Sequence, residues 1–164
     1  ELSAAKEEIE RARSCYLGGN WDECATQAYF ALYRCSRAAI NSRGYKDTNL
    51  YGLCAAIEKL FVETDEMPRE VIKQIREGKD IKDAVYDGHR ATQGQARQVL
   101  QAALNVGKYV FAKLSLPGFE AEEIETTIPE TTTPDHERSR HVPRPGRPPR
   151  IPGRGEEWRR PRRY

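Results

Sequence analysis

The sequence predicts an all-α protein: an up-and-down bundle of about five helices followed by a disordered, acidic and then Arg/Pro-rich C-terminal tail. Three observations predict it. Apolar residues recur at three-to-four spacing in successive segments up to about residue 116, the pattern of helices that each bury one face. No segment alternates with a period of two, as a half-buried strand would. The prolines divide the chain, because only Pro68 falls in the first 116 residues and the other nine crowd the remainder, where apolar periodicity is nearly absent. A chain of 164 residues has room for one domain plus extensions, since a single core takes about 100 to 150 residues. The expected organisation is a helical bundle over 1–118, an acidic linker over 119–133 and a basic tail over 134–164.

The first helix is expected over residues 3–17, with Leu2, Ala5, Ile9, Ala12 and Cys15 or Tyr16 on one face and Glu7, Glu8 and Glu10 on the other. Gly18 and Gly19 end it. Asn20 and Glu23 have the spacing of an N-capping pair, and a long second helix then carries Cys24, Ala28, Ala31, Leu32, Cys35 and Ala39 inward as far as Arg43-Gly44. Its small residues let neighbouring helices come close. A third helix runs from about Asn49 to Val62, with Leu50, Leu53, Cys54, Ile57, Leu60 and Phe61 on its buried face. Pro68 suits a first helical turn and opens a helix through Val71, Ile72 and Ile75 that Gly78 terminates or bends. A short helical segment, Asp80 to Asp87, follows and is closed by Gly88. Thr92 and Gln95 form a second capping pair for the last helix, whose stripe of Ala96, Val99, Leu100, Ala103, Leu104, Val110, Phe111 and Leu114 runs to Leu116-Pro117-Gly118.

The net charge of +2 conceals an asymmetry. Residues 1–118 hold 17 Lys and Arg against 16 Asp and Glu, residues 119–133 hold five Glu and no base, and residues 134–164 hold ten Arg against four acids. Only the tail is distinctly basic. Its run "PRPGRPPRIPGRGEEWRRPRRY" buries too little apolar surface to offset its ordering entropy, so it is expected to be a partly polyproline-like arm. Arg144, Arg147, Arg150, Arg154, Arg159, Arg160, Arg162 and Arg163, beside Trp158 and Tyr164, suit phosphate gripping and base stacking. The plainer alternative is a solubilising or partner-docking extension.

The four cysteines, Cys15, Cys24, Cys35 and Cys54, fall among apolar helical positions with no C-x-x-C pairing. They read as small buried hydrophobes in a reducing cytosol rather than as disulfides or a Cys/His metal site, and no metal or other cofactor is expected. No apolar stretch approaches the roughly 18 residues of a membrane span, and no charged-then-apolar leader is seen. A soluble, cytoplasmic protein without membrane contact is the expectation.

The stretch "RARSCYLGGNWDECATQAYFALYRCSRAAINSRGYKDT" resembles the opening of a HEPN domain, the small helical bundle named for higher eukaryotes and prokaryotes nucleotide-binding. The shared features are a helix, a Gly-rich break, and a helix with the cluster Ala28-Tyr29-Phe30-Ala31-Leu32-Tyr33 and a small-residue run leading to Gly44. The similarity extends to about Leu114 and is nearest the stand-alone prokaryotic branch that includes toxins encoded beside minimal nucleotidyltransferases. It implies a homodimer with functional groups facing across a two-fold cleft. Many members are metal-independent ribonucleases that use an Arg, four to six intervening residues, and a His. Histidine moves the 2′-hydroxyl or leaving-group proton near neutral pH, and a cation stabilises charge developing on the phosphate.

In "KDIKDAVYDGHRAT" the histidine is His89, and the position six intervening residues earlier is Lys82 rather than arginine. Lysine keeps the charge and loses the planar fork. The resemblance thus makes His89 and Lys82 the catalytic candidates, on one helical face if the helix continued through Gly88. Tyr86 and Asp87 follow as substrate-positioning residues, and Tyr33 and Arg37 as cleft residues beside Tyr29 and Arg34. Each has an ordinary counterpart reading: His89 as a solvated helix end, Lys82 as a surface charge, Tyr29 and Tyr33 as interhelical packing. Two functions are therefore expected in competition. One is an RNA-associated HEPN protein acting as a ribonuclease toxin restrained by a nucleotidyltransferase antitoxin. The other is a non-catalytic HEPN module that binds a nucleotide or a protein, with RNA attachment through the tail. A helical adaptor with neither affinity is a third class.

Overall fold

The computed structural model describes residues 1–46 and 49–114, and these form five α-helices with no strand among them. The acidic linker, the basic tail and the eight tail arginines lie outside the described residues. Helix α1 spans Leu2–Leu17, α2 Trp21–Ser42, α3 Leu50–Ile57, α4 Glu70–Tyr86 and α5 Gln93–Leu114. A π-helical segment, Glu58–Val62, continues α3.

The helices close in one recurrent way. After α1, the Asn20 N–H reaches back to the Cys15 carbonyl and the Gly19 N–H to that of Tyr16; after α2, Tyr45 reaches Ile40 and Gly44 reaches Asn41; after α4, His89 reaches Ala84 and Gly88 reaches Val85. Each pair of bonds is a Schellman closure, and the residue at its bend needs a left-handed backbone: Gly19 at φ 72°, Gly44 at 79°, Gly88 at 89°. The π segment ends in the same way through Glu66 to Phe61 and Asp65 to Val62, yet its bend residue is Asp65 at φ 57°. The starts are capped by side chains. Asn20 accepts from the Glu23 N–H, Asn49 from that of Gly52, and Thr92 and Gln95 satisfy one another reciprocally at 3.2 and 2.9 Å. At Asn20 only half of the expected exchange forms. The Asn20 N–H is already spent on Cys15, and the Glu23 carboxylate takes the Gln27 amide instead.

Helix α2 is the centre and touches α1, α3, α4 and α5. Along it Cys24, Ala25, Ala28, Ala31, Leu32, Cys35 and Ile40 are wholly buried. Arg34 and Arg37 in its second half pair with Glu8 and Glu1 of α1 and its N-cap, and Tyr16 meets Trp21 at the intervening turn, so α1 and α2 are antiparallel. Helix α5 runs alongside α2 in the same direction, with Ala96 beside Cys24 and Gly107 beside Cys35. Helix α4 runs opposite to α5, Glu77 meeting Gln98 while Glu66, just before α4, meets Tyr109. This is the up-and-down order that the periodicity and short turns implied.

One boundary differs from expectation. Gly78 does not end a helix: α4 is continuous from Glu70 to Tyr86, and the two segments read from the sequence are one. Gly78 is buried, and a Cβ there would stand 3.3 Å from Tyr29 Cδ2 and 3.4 Å from Val99 Cγ1. The glycine serves interhelical approach rather than termination. The π turn had no visible signal; it is made by the Glu63 N–H bonding back five residues to Glu58. The cysteines are all thiols, with Cys24, Cys35 and Cys54 buried and Cys15 partly so. Burial pushes the Cys24 and Cys35 thiols up to about 12.

Candidate nucleic-acid interface

The last turn of α4 decides what Lys82 and His89 can do together. The helix stops at Tyr86, and the left-handed Gly88 turns the chain off the helical path before His89. His89 is therefore the closing residue of a Schellman motif, exposed, with its N–H on the Ala84 carbonyl and ring Nδ1 3.3 Å from the same oxygen. Two residues on, the Ala91 N–H donates to the Asp22 carboxylate at 2.6 Å, which pins this loop to the start of α2. Lys82 stays in the helix body. The two candidates do not share a helical face within one chain.

Lys82 has instead been drawn into an aromatic setting. Its side chain is only 17% exposed, and its ammonium sits 5.5 Å from the Tyr29 ring centre and 4.9 Å from that of Tyr86. Asp83 holds it at 2.6 Å and also bonds Lys79, and these two ammonium groups keep the Asp83 carboxyl below its ordinary range. Tyr29 is buried and stacks on Tyr33 at 6.1 Å with 30° between planes. Burial, reinforced by Tyr33 and Asp83, pushes the Tyr29 phenol up to about 12. Above Tyr33 lies the Arg37 guanidinium, 5.9 Å from the ring centre. The result is a ladder across α2 and α4: Arg37, Tyr33, Tyr29, Lys82, Tyr86. Its outer rung is open, with Tyr86 64% exposed. Asp87 caps α4 beside that rung and is exposed.

Of the sequence candidates, the fold thus unites Tyr33, Arg37, Lys82 and Tyr86 in one surface and leaves His89 outside the helix that carries Lys82. Arg34 is engaged by Glu8 at 2.8 Å and Glu1 at 3.5 Å, and the Arg37 guanidinium also pairs with Glu1, at 3.6 Å. Among the described residues no three His, Cys, Asp or Glu side chains gather as metal ligands, and no helix is long and apolar enough to cross a membrane.

A second polar constellation carried no sequence signal, because its members are scattered along the chain. Glu66 accepts from Arg43 at 2.6 Å, from the Tyr109 hydroxyl at 2.8 Å and from Thr64 at 3.2 Å, with Lys113 at 3.6 Å. It edges a cleft of about 230 Å³. The Tyr109 and Arg43 bonds hold the Glu66 carboxyl down at about 2, while burial and Glu66 push the Tyr109 phenol up to about 12. Every polar group there is turned on another. The cluster ties α2, α5 and the loop before α4 together rather than presenting a reactive atom.

Comparison with protein-family models, with curated proteins and with solved structures finds no match to this chain.

Proposed function

We propose that the bundle is a non-catalytic, HEPN-like module that binds single-stranded RNA, with Arg37, Tyr33, Lys82 and Tyr86, ranged over the buried Tyr29 ring, forming its contact surface. The observation that supports this reading is Tyr86: a large aromatic ring left mostly exposed over a lysine that is itself seated between two rings. An unpaired base stacks on such a face, and the adjacent ammonium and guanidinium groups attract the phosphate. A duplex does not offer its base faces, so the geometry favours unpaired strands. The basic tail adds a second, sequence-indifferent attraction. Binding of labelled oligoribonucleotides tests the reading: Tyr86→Ala should weaken binding about five-fold or more, the lower end of a lost stacking contact, and His89→Ala should leave it unchanged. Equal affinity of wild type and Tyr86→Ala would remove the proposal.

A ribonuclease is the second reading, and one observation favours it. His89 Nδ1 lies 3.3 Å from the Ala84 carbonyl, and in the tautomer that donates from Nδ1 to that oxygen Nε2 is the acceptor suited to a 2′-hydroxyl proton. In this reading two copies of the chain face one another, bringing Lys82 of one near His89 of its mate, and a minimal nucleotidyltransferase restrains the toxin. The test is cleavage of varied single-stranded RNAs by the purified protein without added metal. Loss of cleavage in His89→Ala establishes the reading, and intact RNA with wild type removes it.

A further inference from the structure

Along α2, Tyr29, Tyr33, Arg37 and Asn41 recur every fourth residue, and Tyr45 follows at the same interval just past the helix end. Residues four apart make one row along a helix, so the ladder lies on a ridge that continues beyond Arg37. Arg37 belongs to both halves. It lies over Tyr33, and it also lines a concavity of about 320 Å³ with Asn41, Gly44, Tyr45 and Lys46. The Schellman closure builds this concavity: with Gly44 at φ 79°, the chain folds back so that the Tyr45 N–H reaches Ile40, and Tyr45 and Lys46 are brought beside Arg37 and Asn41. The tyrosine there is 53% exposed although its backbone is fixed.

We infer that this concavity is a second nucleotide seat, contiguous with the ladder, so that a single strand runs along α2 from Tyr86 to Tyr45. The inference rests on the proposed RNA-binding reading and extends it. Arg37 and Lys46 supply cations for the backbone phosphates, the Tyr45 ring a stacking face, and the Asn41 amide a donor and an acceptor for a base edge. The volume lies at the lower end of small-ligand clefts, which begin near about 300 Å³, and suits one nucleotide. From Tyr29 to Asn41 the helix rises about 18 Å, which corresponds to about five stacked nucleotides at about 3.4 Å each. The seat therefore predicts a footprint longer than the ladder alone requires.

The experiment is fluorescence anisotropy of the full chain with labelled oligouridylates of two, four, six and eight nucleotides, in salt high enough to suppress the tail, with oligodeoxyuridylates as a parallel arm. Wild-type affinity should rise with length and level off near six. Tyr45→Ala and Lys46→Ala should each weaken the eight-mer about five-fold or more and leave the dinucleotide unchanged, whereas Tyr86→Ala weakens every length. Circular dichroism melts confirm that these exposed substitutions leave the bundle folded. Wild-type affinity for the eight-mer in both Tyr45→Ala and Lys46→Ala, with Tyr86→Ala still impaired, overturns the second seat and leaves the RNA-binding reading standing. No binding by wild type, or no effect of any variant, overturns both. Equal binding of the deoxy series supports the seat and removes the 2′-hydroxyl from what it recognises.

Discussion

Glu66 is the most heavily engaged carboxylate described here, and its chemistry sets a pH dependence. Its folded value of about 2 lies below the ordinary 4.5, so the stability it contributes is complete above pH 4.5 and is lost as pH falls toward 2. Glu66→Gln should melt at a lower temperature than wild type at pH 7, and the gap should narrow between pH 5 and 2; calorimetry across that range checks it. Asp65, one residue earlier, bears backbone strain that a glycine would not. Replacing it with glycine removes about 1–2 kcal/mol of left-handed strain and costs about 0.5–1 kcal/mol through a looser unfolded chain. Asp65→Gly should thus stabilise the protein by up to about 1.5 kcal/mol, measurable by urea denaturation. The cysteines order by access. Cys24 and Cys35 are buried with thiols near 12, so alkylation of the native protein should label the partly exposed Cys15 first, as read by peptide mass spectrometry.

At the scale of the elements, two glycines, one inside α4 and one just past its end, have opposite duties. Gly78 lets α4 lie against Tyr29 of α2 and Val99 of α5, and a side chain there meets atoms at 3.3–3.4 Å. Gly78→Leu should destabilise the bundle by about 1–3 kcal/mol through overpacking, seen as a lower denaturant midpoint. A Cβ at Gly88 would meet nothing within 4 Å, and only its φ of 89° requires glycine. The contrast explains what was legible. Gly18-Gly19, Gly44 and Gly88 each stand where an apolar stripe runs out, and each was readable as a stop. Gly78 stands inside a stripe, where the sequence does not distinguish a stop from a contact. The π segment was hidden for a related reason: widening one turn leaves the apolar spacing of Leu53, Ile57 and Phe61 intact.

For the whole molecule, bundle and tail divide the charge, and binding should divide with it. The bundle over 1–118 carries a net charge near +1 against +6 for residues 134–164. Removing residues 134–164 should flatten the salt dependence of single-stranded RNA affinity, since each phosphate contact on a single strand contributes a slope of about 0.7 in log–log terms. The part of the affinity lost in Tyr86→Ala should survive that deletion, because stacking is not screened by salt. Titrations from low to moderate salt with both chains check the division.

The helical fold, the order of its elements and most of its caps were determined by the sequence alone, because apolar periodicity and cap chemistry act within a few residues of one another. The candidate surface was legible only in part. Tyr33, Arg37, Lys82 and Tyr86 stood out singly, but that they form one ladder, while His89 falls outside the helix that carries Lys82, was decided by the packing of α4 on α2 and the left-handed bend at Gly88. Glu66 with Arg43, Tyr109 and Lys113, and the concavity joining Arg37 to Tyr45 and Lys46, likewise exist only in three dimensions. Their partners come from separate elements or from a chain reversal, and the distances between them are set by interhelical packing, which no local pattern encodes.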